Sequence, residues 1–166
     1  LLDSTFGDLP EKAKPWAVPE IEPQGAGWTV VVEKPGPQST IVFAEKGLKR
    51  NDDNYYAAYV MNHVLGSGGF TSRLYKTIRE ERGLAYSVYS TLHPLDHAGL
   101  ILGGASTANK RAAETLGVLR QEWAGMASGG VTAAEIADAK TYLTGSFPLR
   151  FTSNGRIARM LLGIQI

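Results

Sequence analysis

The chain reads as an α+β domain, a mainly antiparallel sheet packed on helices. Three observations predict this. Residues 28–45 and 84–105 each follow a strand–turn–strand pattern. The segments between and after them repeat apolar residues at helical spacing, with capping residues at their starts and glycines or prolines at their ends. Finally, 43% of the 166 residues are hydrophobic, which is enough for a real core in one domain's length.

Taken in order, residues 1–27 read as a linker. They are rich in Pro and Gly with alternating charge, and Leu1 to Phe6 end a preceding helix. Residues 28–166 then make a single α+β domain. A first strand spans residues 28–34, with Trp28, Val30 and Val32 on one face. Pro35-Gly36-Pro37-Gln38 is a turn by composition. A second strand over residues 39–45 runs antiparallel to the first and ends at Gly47. Asp52 or Asp53 starts a helix that reaches about Leu65, burying Tyr56, Val60 and Val64.

Leu65-Gly66-Ser67-Gly68-Gly69 breaks that helix. Thr71 or Ser72 caps the next one. Leu74 and Ile78 lie on its buried face, while Tyr75, Arg79 and Arg82 share another. Gly83 is its left-handed stop. The following strand sets Leu84, Tyr86 and Val88 against Ala85, Ser87 and Tyr89. Over residues 84–92 it pairs with residues 98–105 across His93-Pro94-Leu95-Asp96-His97.

Thr107 or Asn109 opens a long helix with the stripe Ala112, Leu116, Leu119, Trp123 and Met126, stopped by Gly129-Gly130. Thr132 and Glu135 form a capping box for a helix that turns Ile136, Leu143 and Phe147 inward and ends at Pro148. Ser153 or Asn154 caps a last helix carrying Ile157, Leu161 and Ile164. Its pattern is still running at Ile166, so the fold reads as truncated there. Tyr55, Tyr56, Tyr59 and Trp123, at helical spacing, are read as core.

Composition excludes several functions. The 17 basic and 16 acidic residues are scattered, so no basic stripe offers itself to nucleic acid. No apolar run has membrane length. The absence of cysteine excludes disulfides, thiolate metal sites and a cysteine nucleophile. The glycine loop from Gly66 to Ser72 has the look of a phosphate cradle in the wrong setting. It follows a helix rather than a strand, and no lysine precedes Thr71-Ser72. A nucleotide-binding domain is therefore the least favoured reading.

Gly68-Gly69-Phe70-Thr71-Ser72-Arg73-Leu74-Tyr75, followed by Ile78-Arg79-Glu80-Glu81-Arg82-Gly83-Leu84-Ala85-Tyr86, resembles the second half of insulinase/pitrilysin-family zinc metallopeptidases, which include mitochondrial processing peptidase. The resemblance continues more weakly from about Trp28 to the C-terminus. It implies two homologous halves that face each other. One holds zinc with an inverted His-x-x-Glu-His motif; the other supplies an Arg–Tyr pair at the spacing of Arg79 and Tyr86.

By this resemblance Arg79 and Tyr86 are the catalytic contributions of the chain, and Gly68, Gly69, Phe70 and Ser72 wall the substrate cavity. The chain is then the non-catalytic, substrate-binding and active-site-completing half, inactive alone and holding no metal. Its partners are a zinc-bearing homologous half or subunit, in a homo- or heterodimer, and a peptide; nucleic acid and membrane are not expected. The resemblance implies an extracytoplasmic bacterial setting. The alternative is a structural scaffold of the same fold.

The residues alone leave plainer accounts open. Arg79 and Arg82 suit the negative end of a helix, and Tyr86 suits a half-buried strand position. His93-Pro94-Leu95-Asp96-His97 copies the inverted motif's spacing with Asp for Glu. That motif works on a helix, whereas Pro94 and the flanking strands place this segment in a turn. His63 has no second ligand at metal spacing and is given no role.

Overall fold

A computed structural model describes residues 2–10, 12, 16–25 and 27–165. Strands β1 (Gln38–Lys46), β2 (Ala85–Pro94) and β3 (Gly99–Ala108) form an antiparallel sheet with β3 in the middle. β1 runs from Gln38 opposite Ala108 to Lys46 opposite Leu100. β2 and β3 make a hairpin, from Ala85 opposite Thr107 to Pro94 opposite Gly99. The helices are α1 (Leu2–Phe6), α2 (Tyr55–Asn62), α3 (Ala112–Gly129), α4 (Ala133–Ser146) and α5 (Asn154–Gln165). Two further segments, His63–Ser67 and Tyr75–Glu81, are wound as π-helix, a form that occurs mostly as single turns and often near functional sites.

One apolar cluster joins sheet to helices. Leu65, Leu74 and Ile78 from the wide helical turns meet Val88 and Ala105 of the sheet and Val118, Leu119 and Met126 of α3. Leu74 and Ile78 are wholly buried. Each contributes roughly 1.5–3 kcal/mol by leaving water. A buried polar clip adds direction: Ser90 Oγ donates to Asn62 Oδ1 at 2.7 Å, and Asn62 Nδ2 donates to Ser90 O at 3.4 Å. This fixes α2 over β2.

Several expectations are corrected. Residues 28–34 are not a strand; Val30, Val31 and Val32 are about 80% exposed and have no ladder partner among the described residues. Propensity favours extension, but only pairing makes a strand. The expected first hairpin is thus absent, and β1 pairs with β3 instead. Helix α2 begins at Tyr55, because Asp52 first holds a turn by accepting the Asn54 N–H at 2.8 Å. Tyr55 is buried as expected, whereas Tyr56 is 69% exposed.

In α3 the buried residues are Thr115, Val118, Leu119 and Met126, so the stripe is rotated from the expected one. The helix starts at Ala112, since Thr107 still belongs to β3 and a 3-10 turn fills Asn109–Arg111. Trp123 is only partly buried; it packs edge-on against Phe43 and donates to Glu45 Oε2 at 2.8 Å. Phe147 and Leu161 are exposed. Of the N-terminal helix reading, Leu2–Phe6 is helical, while Leu1 lies outside the described residues.

The capping box is present, and it does a second job. Glu135 N donates to Thr132 Oγ1 at 3.2 Å, and Thr132 N donates to Glu135 Oε2 at 2.8 Å. The same carboxylate accepts from Arg73 Nε at 2.6 Å and Arg73 Nη2 at 2.7 Å. Arg73 also donates to Gly130 O, the residue at φ +64° that ends α3. One ion pair therefore ties the start of the Tyr75–Glu81 helix to the α3–α4 corner.

Two outcomes follow. At Gly66 an added Cβ would lie 2.6 Å from Ser90 N and closer still to Ser90 Oγ. Gly66→Ala should cost about 1–3 kcal/mol by overpacking, read as a lower midpoint in thermal unfolding. The Arg73 fork, with the Thr132 donors, holds Glu135 from an ordinary 4.5 down to about 2. Because the folded value lies below the unfolded one, this stabilisation is complete above about pH 4.5 and is lost as pH falls toward 2. Glu135→Gln should cost about 1–3 kcal/mol in urea unfolding at pH 7, with the difference closing on acidification.

Candidate functional site

The corner between the Tyr75–Glu81 helix and β2 builds the site. The helix closes with two bonds, Gly83 N to Arg79 O at 3.0 Å and Leu84 N to Ile78 O at 2.7 Å. Gly83 sits at φ +55°, where glycine alone is unstrained. The chain then enters β2 through a bulge. Ala85 faces Thr107 and the next pair is Ser87 with Ser106, so Tyr86 has no partner across the ladder.

The bulge overturns the expected alternation. Leu84 and Val88 are buried, yet Tyr86 between them is 79% exposed. An extra residue in one strand breaks the period of two and re-aims the side chain it carries. Without it, the phenol would point toward the core with Leu84 and Val88.

Arg79 is half-buried, and its guanidinium carbon lies 4.5 Å from the centroid of the Tyr86 ring. It also lies 4.8 Å from the centroid of the Tyr75 ring, which is buried. The cation thus lies over two aromatic rings, an attraction worth about 0.5–1 kcal/mol or more per ring. Phe70 continues the row, edge-on to Tyr75 at 4.8 Å. Tyr75 is the member that sequence reasoning did not single out, although its spacing of four from Arg79 on one helix face was the signal.

Beside the pair is a hollow of about 350 Å³, walled by Arg79, Tyr86, Gln38, Gly83, Ser106 and Thr107 among others. None of Gly68, Gly69, Phe70 or Ser72 lines it. They join the pair through Phe70 and Tyr75 instead. Phe70 is 71% exposed, and Gly69 is at φ +59°. Ser72 is only 1% exposed, so it offers a peptide no surface; its hydroxyl donates to Gly69 O at 2.8 Å. Thr71 Oγ1 likewise donates to Gly68 O at 3.1 Å. Both hydroxyls brace the loop, in place of the expected role of accepting a helix N–H.

The histidines lie apart. His93 is in β2 opposite Leu100, while His97 is in the following loop with Nδ1 at 3.4 Å from Glu20 Oε1. His63 is buried and stacks on Tyr142 at 5.1 Å, and burial lowers its pKa. Among the described residues no three His, Cys, Asp or Glu side chains are grouped to hold a metal ion.

Known proteins agree with this architecture. A zinc protease of unassigned role from Streptomyces coelicolor is 34% identical over 134 residues, covering 81% of this chain and 29% of that protein. A protein of Helicobacter pylori named a non-peptidase homolog is 33% identical over 154 residues, covering 90% of this chain and 34% of that one. The chain therefore spans about a third of the length of these relatives. The crystal structure of a peptidase M16 inactive domain from Pseudomonas fluorescens superposes with a TM-score of 0.69 at 35% identity, covering 76% of this chain and 30% of that chain. The family model described as the peptidase M16 inactive domain matches residues 1–143. Fold, motif and these matches agree, and the chain belongs to the peptidase M16 inactive-domain family.

Proposed function

We propose that this chain completes the active site of a zinc metallopeptidase whose metal is held by a separate homologous half. The observation that carries this reading is the pairing of the Arg79 guanidinium with the exposed Tyr86 phenol beside an open hollow. Both groups donate hydrogen bonds, and both stand where an extended peptide has access. In peptide hydrolysis negative charge develops on the carbonyl oxygen, and preorganised donors aimed at that oxygen lower the barrier.

The roles divide by chemistry. Tyr86 supplies a neutral O–H donor at the reacting carbonyl. Arg79 supplies fixed positive charge and, by stacking on the ring, limits where the phenol can go. Phe70 offers an exposed aromatic surface to a substrate side chain, and Gly68 and Gly69 let backbone approach it closely. Zinc and the water it activates belong to the other half.

A second reading is favoured by one finding, the Helicobacter pylori relative named a non-peptidase homolog. In that reading the chain is a scaffold, and the Arg79–Tyr86 stack is structural.

Tyr86→Phe separates the two, because it removes the O–H and keeps the ring under Arg79. In the full protein assembled with its zinc-bearing half, peptide cleavage should fall roughly a hundredfold in kcat, about 2–4 kcal/mol of barrier, with KM little changed. Unchanged kcat, or no chelator-sensitive cleavage in the parent assembly, would establish the scaffold instead.

A further inference from the structure

We propose that Arg111, supported by Thr107, is the positioning residue that sets the Arg79–Tyr86 geometry; the inference rests on the reading of that pair given above. Between the two side chains the backbone turns at Arg82, Gly83 and Leu84. The carbonyl of each is taken by a side chain from outside the corner. Arg111 Nη1 donates to Gly83 O at 2.9 Å, and Arg111 Nη2 donates to Arg82 O at 3.1 Å. Thr107 Oγ1 donates to Leu84 O at 2.6 Å.

The carbonyls at a helix end have no partners within the helix, and solvent usually satisfies them. Here a planar guanidinium fork spans two adjacent ones with two nitrogens held in fixed geometry. Its charge also lies at the negative end of the Tyr75–Glu81 helix. Thr107 is itself buried and backed by Thr115, whose hydroxyl stands 3.1 Å from Thr107 Oγ1 and 2.9 Å from Arg111 O. Arg111 and Thr115 flank the first residues of α3, and Thr107 is the β3 residue opposite Ala85, where the bulge begins. The sheet and α3 thus grip the same three peptide units from one side.

This arrangement does more than stabilise. Arg79 lies three residues before the gripped segment and Tyr86 two residues after it. Releasing the carbonyls frees the peptide planes that fix the ring beneath the cation. Arg111 is not among the residues that line the hollow. Its other ionic neighbour is Glu114, at 3.6 Å. Its hydrogen bonds to the corner are both to backbone carbonyls.

The test is fluorine NMR on the full chain carrying 3-fluorotyrosine, with the Tyr86 resonance identified by its loss in Tyr86→Phe. Arg79→Ala defines the position of the resonance without the cation. Arg111→Ala and Thr107→Val should move the Tyr86 line most of the way to that position, and Thr107→Ser should restore it. If Arg111→Ala fails to fold, Arg111→Met keeps the side-chain stem but loses every donor, and should move the line in the same direction.

A folded Arg111→Ala or Arg111→Met chain with the Tyr86 line unmoved would overturn the proposal, whatever its loss in thermal midpoint. In the assembled peptidase, Arg111→Ala should lower kcat roughly ten- to a hundredfold while KM stays close to its parent value. If Arg79→Ala itself leaves cleavage unchanged, the peptidase reading fails, and the fluorine shift still decides the positioning role.

Discussion

The burial of Leu74 and Ile78 is the constraint on which the rest depends. These two side chains seat the Tyr75–Glu81 helix on β2 and α3 and thereby fix which way its opposite face looks. Arg79 follows Ile78 directly, so its direction is set by that seating. The wide π winding matters for the same reason: it delivers Leu84 N to Ile78 O, a longer reach than an α-turn makes. An ordinary α-helical register here would rotate Arg79 relative to the strand that carries Tyr86. The Arg73–Glu135 pair then prevents the start of this helix from sliding against α4.

Much of the architecture was legible in sequence because its signals are local. The capping box of Thr132 and Glu135, the stop at Gly129-Gly130 and the left-handed Gly83 each depend on a few neighbouring residues, and each is found as expected. The β2–β3 hairpin was legible for the same reason. What failed were inferences that depend on distant partners. Val30 to Val32 read as a strand by residue type, but pairing is a non-local event and does not occur there. That Tyr56, unlike Tyr55, leaves the core likewise depended on where α2 begins, and Asp52 delayed that start.

The site was legible as a pair of residue types at a spacing, and its geometry was not. Strict alternation put Tyr86 on the same side as Leu84 and Val88, which are buried. Nothing in Ala85-Tyr86-Ser87 announces a bulge, because no glycine or proline marks it. The irregularity arises where β2 must meet β3 while its first residues are still leaving the helix. Tyr75 was visible on one face with Arg79, but that it is buried with the cation on its ring was not. Ser72 failed in the opposite sense: it stands in the matched motif, yet its hydroxyl is spent inside the loop.

Both outer strands of the sheet, β1 and β2, have one side that bonds to no other strand among the described residues. Close in sequence to β1 lies a stretch of Trp28, Val30, Val31 and Val32 with most of its apolar surface in water. Unsatisfied ladder groups and a β-prone valine run are together the ingredients of intermolecular sheet growth. Charged residues, proline or a covering segment are the usual means by which antiparallel sheets shield such edges.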